Sequence, residues 1–482
     1  MTSSRPLFTS ITTWECLVLL LLLPVVVFPA GPQAILLLLI PFFWLLHFIS
    51  GERLFPNTPF NLGLGLMGLM LLVSLTVTFD YSLSLSKMAG IVYGIALLMA
   101  TSRLVRQRRQ GIWWVFGLVL LAGVAIAVAG LLGVRWLEPF ERLNALQTLL
   151  PAGLRSVPGA VGGVINENEL AGTLAWIAPL FIAALIGLPR ALPRYGRALT
   201  VILALATLLL TGTIIATQSR GGVLALMLSA ALVIALFAPK QWRLVVLVVS
   251  AVVSLAWYFS YGSALDTLTP GASAFGLTSR LEIWSRALVA IGDFPLTGVS
   301  VNGFRQILQV LYPTFLVTPT FDLGHAHNHL LQAALDLGLP GLVGYLSLWF
   351  LAAGMLARNL RRLSHLHAED HAYFALTAGL AGSLAAGWIF GMLDSIALGA
   401  RPGFIWWLVI ALAGSSHYLV MFQLEVAGRR RRRRHAVAAP APEPEPAPLP
   451  QPVPEPASSP SNFPEERPRS RPRMRYRPPS DG

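Results

Sequence analysis

The sequence predicts an all-α fold, a polytopic transmembrane bundle of about twelve spans with an ordered extracytoplasmic cap and a disordered C-terminal tail. Three observations lead there. The 482 residues are 55% apolar and only 12% charged, with a mean hydropathy of +0.66, whereas a soluble domain is about a quarter charged. Apolar runs of about 17–22 residues recur along most of the chain, long enough to cross the hydrocarbon core. Past residue 428 the composition changes abruptly to arginine and proline. A water-soluble enzyme is excluded.

Hydrophobic continuity places the spans near residues 14–30, 34–49, 60–78, 88–101, 112–133, 171–187, 198–217, 222–238, 243–260, 339–357, 373–394 and 403–421. The first run follows Arg5 and meets Phe28-Pro29-Ala30 where a leader would carry a small-residue cleavage site, so it reads as an uncleaved span. With both termini in the cytoplasm, the inner connections carry the clusters Arg103/Arg106/Arg108/Arg109, Arg190/Arg194/Arg197 and Arg358/Arg361/Arg362, as the positive-inside bias requires. The outer side then receives the two long connections, 133–170 and 261–338. Long loops are functional or disordered, and the second is too apolar for disorder. Its run from Arg280 to Leu288 has the spacing of an amphipathic helix at the membrane face.

Residues 1–428 therefore form the membrane domain and 429–482 a cytoplasmic tail. The tail opens with six arginines, Arg429 to Arg434, and holds 15 of the 35 prolines, a composition that buries too little apolar area to fold. It contributes +6 of the net +13. Arginines beside a span read as anchors to anionic headgroups, with a docking site for a partner as the other reading; membrane lipids and not nucleic acid are the expected partners. Cys16 is the single cysteine, which excludes a disulfide framework. No fixed-period repeat is evident.

Charges at the edges of apolar runs cost enough to need a reason. Arg220 follows a span directly in Thr217-Gln218-Ser219-Arg220-Gly221-Gly222, where the two glycines suit a tight reversal. Its guanidinium either snorkels to headgroups or serves a site. Arg280 opens the amphipathic stretch, and two converging guanidiniums make a receptor for phosphate or diphosphate. Gly324-His325-Ala326-His327-Asn328-His329 places three of the nine histidines within five residues at the end of the long outer loop. Histidine exchanges protons near neutral pH; metal ligation and an ordinary polar cap are the other readings, and the helical i, i+4 pairing would leave His327 off the metal face. Asp394 and Arg401 read as an ion pair at the cap edge.

Taken in order, Ser219-Arg220-Gly221-Gly222, Ser279-Arg280-Leu281-Glu282-Ile283-Trp284, Pro295-Leu296-Thr297-Gly298-Val299-Ser300, and His327-Asn328 followed by Gly338-Leu339-Pro340-Gly341 resemble the O-antigen ligase and O-antigen polymerase superfamily of bacterial envelopes. The resemblance covers about residues 160–345. It implies a multi-span glycosyltransferase of the bacterial inner membrane, working on the extracytoplasmic side without a metal or other cofactor. The implied donor is a glycan on undecaprenyl diphosphate, and the implied acceptor is a glycolipid or another glycan. By position, His327 is the implied base, and Arg220 and Arg280 hold the donor diphosphate. Asn166, Asn168 and Asn328 are supporting positions, although helix capping accounts equally well for an asparagine at 166 or 168. The ligase reading leads, with a repeat-unit polymerase of the same superfamily or a lipid-linked glycan transporter as alternatives.

Overall fold

The computed structural model describes residues 10–27, 37–53, 55–149, 165–268, 277–316, 323–363, 371–395, 398–400 and 403–438. Among these residues the chain is helical, with no strand. Helices α1 (Ile11–Val27), α2 (Leu39–Ile49), α3 (Asn61–Thr76), α4 (Tyr81–Gln107) and α5 (Gly111–Gly133) are followed by a 3₁₀ segment at Glu141–Leu149. Then come α6 (Glu167–Ala191), α7 (Gly196–Ala216), α8 (Arg220–Phe237), α9 (Lys240–Leu268), α10 (Leu277–Asp293) and α11 (Phe304–Leu311). Three more complete the order, α12 (His329–Leu363), α13 (His371–Leu393) and α14 (Gly403–Ala438).

Nine of the described helices, α4 to α9 and α12 to α14, are long and apolar enough to cross a membrane. The chain is a multi-pass membrane protein, but the expected count of about twelve is not reached. In place of the first three expected spans stand shorter apolar helices, Ile11–Leu22, Leu39–Ile49 and Asn61–Thr76. Hydropathy counts residues that the backbone spends on turns: α2 gives way at Ser50 to a left-handed Gly51 and has 11 residues. Such a helix rises only about 17 Å, roughly half the hydrocarbon thickness.

α6 is the most buried of these helices and α9 the least buried. α6 packs against α5, α7, α8 and α13, while α12 packs on α3 and α13. Small residues bring the inner helices together: Gly222 of α8 abuts Ala171 of α6, Gly172 of α6 abuts Phe390 of α13, and Gly387 of α13 abuts Trp176 of α6.

Arg103 is not in a loop with its cluster. It lies buried within α4 and pairs with the buried Glu15 of α1 at 2.8 Å. His47 of α2 sits between Glu15 at 3.0 Å and Glu52 at 2.7 Å, so one polar knot ties α1, α2 and α4. Arg106 and Arg109, in contrast, rest over the rings of Tyr418 and Phe422 in α14.

The described part of the long 261–338 connection is an ordered cap with its own apolar core. Ile283 and Ala287 of α10, Phe304 and Leu308 of α11, Ala326, and Leu335 of α12 share it. Two left-handed glycines lock the cap to the bundle. α12 breaks at Gly338 (φ 67°), and Gly298 (φ 66°) lies directly against the break. Val299 N–H donates to the Leu335 carbonyl and Leu339 N–H to the Pro295 carbonyl, each at 2.7 Å. The two glycine-containing motifs are thus the two halves of one backbone crossing.

The last helix continues through Arg429–Arg434 to Ala438, ten residues into the segment expected to be disordered. The proline tract from Pro440 onward, Phe28-Pro29-Ala30 and residues 150–164 of the first outer connection lie outside the described residues.

Candidate active site

The histidine loop is held from both sides before it reaches α12. Ala326 is fully buried in the cap core, and its N–H donates to Gln332 Oε1 at 2.8 Å. Gln332 in turn donates to the buried Asp336 at 2.8 Å, and Asp336 accepts the Asn302 N–H at 3.0 Å. His327 takes a left-handed backbone (φ 49°), a conformation that costs a residue with a Cβ roughly 1–2 kcal/mol and persists where the surroundings impose it. Asn328 caps α12, its Oδ1 accepting the N–H groups of Leu330 at 2.9 Å and Leu331 at 3.2 Å.

With Ala326 turned into the cap, His325 and His327 share one site with their rings 4.4 Å apart. Both face Asp394, one residue past the end of α13. His327 Nδ1 is 2.9 Å from Asp394 Oδ1, and His325 Nε2 is 3.7 Å from the same oxygen. The His327 N–H donates to His325 Nδ1 at 3.2 Å. That bond fixes the His325 tautomer, with its proton on Nε2 toward the carboxylate. His327 presents Nδ1 to Asp394, so Nδ1 carries the proton and Nε2 the lone pair. A carboxylate that orients an imidazole this way also stabilises the imidazolium it becomes.

Burial alone would raise the Asp394 carboxyl. Burial is the largest single influence, but the His327 hydrogen bond and the charges of His325, His327 and Arg280 together exceed it and hold the group down at about 2. His325 is pushed down to about 4, first by burial, with Asp394 opposing and His327, Lys87 and Arg280 adding to the depression. The folded chain therefore takes up a proton at His325 less readily than the unfolded chain, whose value is 6.5. Stability is fully present above that pH and drains away as the pH falls toward about 4. The thermal midpoint of the detergent-solubilised protein should drop across this interval, and His325→Asn should flatten the drop. Asp394 acts with the same sign in a lower window, from 3.8 down to about 2.

Arg280 lies on α10 one turn before the buried Ile283, and its charge is felt by both His325 and Asp394. Its Nε is buried without a hydrogen-bond partner among the described residues. Arg220 opens α8 behind the cap of Ser219, whose Oγ accepts the Gly222 N–H at 3.3 Å. The reversal before it is made by Gln218 (φ 56°) and not by the two glycines, which are helical. They serve packing instead: a Cβ on Gly221 would stand 3.6 Å from Leu393, the residue before Asp394, and Gly222 abuts α6. The start of α8 thus packs against the end of α13, at the residue that precedes Asp394.

Asn166 caps α6, accepting the N–H groups of Asn168 at 2.9 Å and Glu169 at 3.1 Å. Asn166, Asn168 and Asn328 are accordingly helix-start residues, the first two at the start of α6 and the third beside His327 at the start of α12. His329 leaves the cluster for a buried aromatic chamber, bonding Tyr345 Oη at 2.8 Å and meeting the rings of Trp349 and Trp388.

The ligating atoms of His325, His327 and Asp394 all lie within 4.8 Å of one another, a spacing that can hold a metal ion. A metal there would have to displace the protons that both rings direct at Asp394, against the nearby charges of Arg280 and Lys87. The arrangement is better suited to moving a proton beside fixed cations.

Two features of the site lie beyond the local sequence pattern. The sequence pairs Asp394 with Arg401, which lies outside the described residues, whereas the structure sets Asp394 against His327, 67 positions away. Lys87, at the start of α4, is within electrostatic reach of His325, Asp336, Arg305 and Glu169. A lysine set against an apolar run was the available signal.

Fold and cluster together define a multi-pass membrane protein with an oriented imidazole and fixed cations at one end of its bundle. Residues 204–346 match the family model described as O-antigen ligase, and this match supports membership of the O-antigen ligase and polymerase superfamily. No curated protein matches the chain. The matched region contains Arg220, Arg280 and His327 but stops short of Asp394.

Proposed function

We propose that the protein is an O-antigen ligase-like glycosyltransferase of the bacterial inner membrane, moving an oligo- or polysaccharide from undecaprenyl diphosphate to a sugar hydroxyl on the extracytoplasmic face. The observation that carries this reading is the His327–Asp394 pair, 2.9 Å apart, with Arg280 in electrostatic reach. His327 Nε2 takes the proton of the acceptor hydroxyl while its oxygen bonds to the anomeric carbon of the donor. The bond from that carbon to the diphosphate oxygen breaks, and the electron pair leaves with undecaprenyl diphosphate. Arg220 and Arg280 stabilise the charge that develops on the leaving oxygen. Direct displacement inverts the anomeric centre, and the scheme calls on no metal.

Orientation follows from charge. The Arg106/Arg109 end of α4 is opposite its Lys87 end, and the positive-inside bias assigns the arginine-rich end to the cytoplasm. The histidine end then faces outward, where a lipid-linked glycan and its acceptor meet.

Reconstitution with a polyprenyl-diphosphate glycan and candidate acceptors tests the reading. A new glycolipid is the ligase outcome, a longer polyprenyl-linked chain the polymerase outcome, and no transfer to any acceptor removes the proposal. Activity that disappears with chelator and returns with added metal would overturn the metal-independent mechanism.

A further inference from the structure

Outside the histidine cluster, α12 and α13 part to leave an apolar groove of about 300 Å³. Trp349 and Trp388 close one end, and Ala353 and Ala357 of α12 face Ala381 and Ala385 of α13 along its length. Each set recurs at three- and four-residue spacing, so each is a single face of its helix. Opposed small residues ordinarily let membrane helices close together. Here they leave room, and empty apolar volume forfeits contacts that a bound molecule restores. The rim is open to hydrocarbon, with Phe350 63% exposed beside it.

The groove is aligned with the reaction site. Trp388 meets His329 edge to face, ring centroids 5.0 Å apart, and His329 follows His327 by two residues. Trp388 precedes Asp394 by six residues, about 9 Å of rise along α13 at about 1.5 Å per residue. A cationic end followed within this distance by an aromatic-walled apolar channel matches an amphiphile with an anionic head and a long hydrocarbon tail. We propose that the α12/α13 groove holds the first isoprenoid units of the donor lipid, with the diphosphate at the Arg280 end. This rests on the reading that the donor is a polyprenyl diphosphate and adds where its tail lies. The tail would align the anomeric carbon with His327, so occupancy of the groove adds to binding and orientation.

The test uses the full chain in phospholipid nanodiscs. A polyprenyl diphosphate bearing a diazirine on an early isoprene unit, without any glycan, should label residues 349–360 and 381–388, and unlabelled polyprenyl diphosphate should compete. A diazirine phospholipid should be displaced from the same residues by polyprenyl diphosphate. Ala385→Trp and, on the facing helix, Ala353→Phe should each lower kcat/KM for a long-chain glycan donor by about tenfold while leaving a donor whose diphosphate carries only a short alkyl group, with no isoprene unit to enter the groove, within about twofold. Labelling elsewhere, phospholipid labelling that polyprenyl diphosphate does not displace, or equal losses for both donors in both variants would overturn the assignment. The two readings fail separately. Groove labelling without transfer to any acceptor counts against the glycosyltransferase, and transfer with the label elsewhere counts against the groove.

Discussion

Replacing His327 with alanine is expected to lower kcat by about a hundred- to ten-thousand-fold, the usual contribution of a positioned general base, while the protein stays inserted and folded. The ring is tied to Asp394 at 2.9 Å and lies at the edge of the cap rather than in its core. The core contact of the loop is made by Ala326, so the loop keeps its anchor when the imidazole is removed. The measurement is single-turnover transfer in the reconstituted system, with thermal unfolding as the control. A His327→Ala protein with wild-type turnover would sink the proposed chemistry.

Asp394→Asn separates positioning from proton transfer. An amide can bond His327 Nδ1 through its NH₂ group, which selects the tautomer with the proton on Nε2 and removes the lone pair from the reacting side. The expected loss is in kcat, about a hundredfold or more, with KM for the donor little changed. Because Asp394 stays ionised down to about pH 2, its protonation cannot shape the rate profile near neutrality. A variant that loses donor affinity with kcat intact would make Asp394 a structural residue only.

How far the sequence carries the reader depends on the distance over which each feature acts. Helix existence is local, and α4 to α9 and α12 to α14 stand where the apolar runs predicted them. The amphipathic run after Arg280 is likewise local, and α10 buries Ile283 and Ala287 while exposing Leu281 and Leu288. Asn166 caps a helix within three residues of itself, so the sequence could identify the position while leaving cap and site as rival readings, and Asn328 caps one in the same way. What was not legible acts across the fold. Asp394 and His327 meet through the packing of α12 on α13; Arg103 finds Glu15 across 88 positions, and hydropathy alone assigned it to a cytoplasmic cluster. The tight turn before Arg220 was credited to two glycines because glycine is permissive, yet Gln218 takes the left-handed conformation and the glycines are used for helix contact.

The same distinction governs the largest expected effect on folding. Gly298→Ala and Gly338→Ala should each destabilise the protein by about 2 kcal/mol or more, since a left-handed backbone alone costs a residue with a Cβ roughly 1–2 kcal/mol. Space adds to that cost. A Cβ on Gly298 would overlap the Leu335 carbonyl oxygen and stand 2.7 Å from Gly338 N, and one on Gly338 would overlap the Leu296 carbonyl. Those are backbone atoms, which cannot turn aside as a flexible side chain does, so the two backbone segments of the crossing must separate. Separation breaks the bonds from Val299 to Leu335 and from Leu339 to Pro295, and it moves the helical turn that carries Gln332 and Asp336, the supports of the histidine loop. Thermal unfolding in detergent should show a large drop for either variant, and the surviving folded fraction should have a lowered kcat. Because both substitutions open the same crossing, the double variant should lose less than the sum of the two single losses. Strict additivity would mean that the two glycines act independently and that the crossing is not the unit that joins cap to bundle.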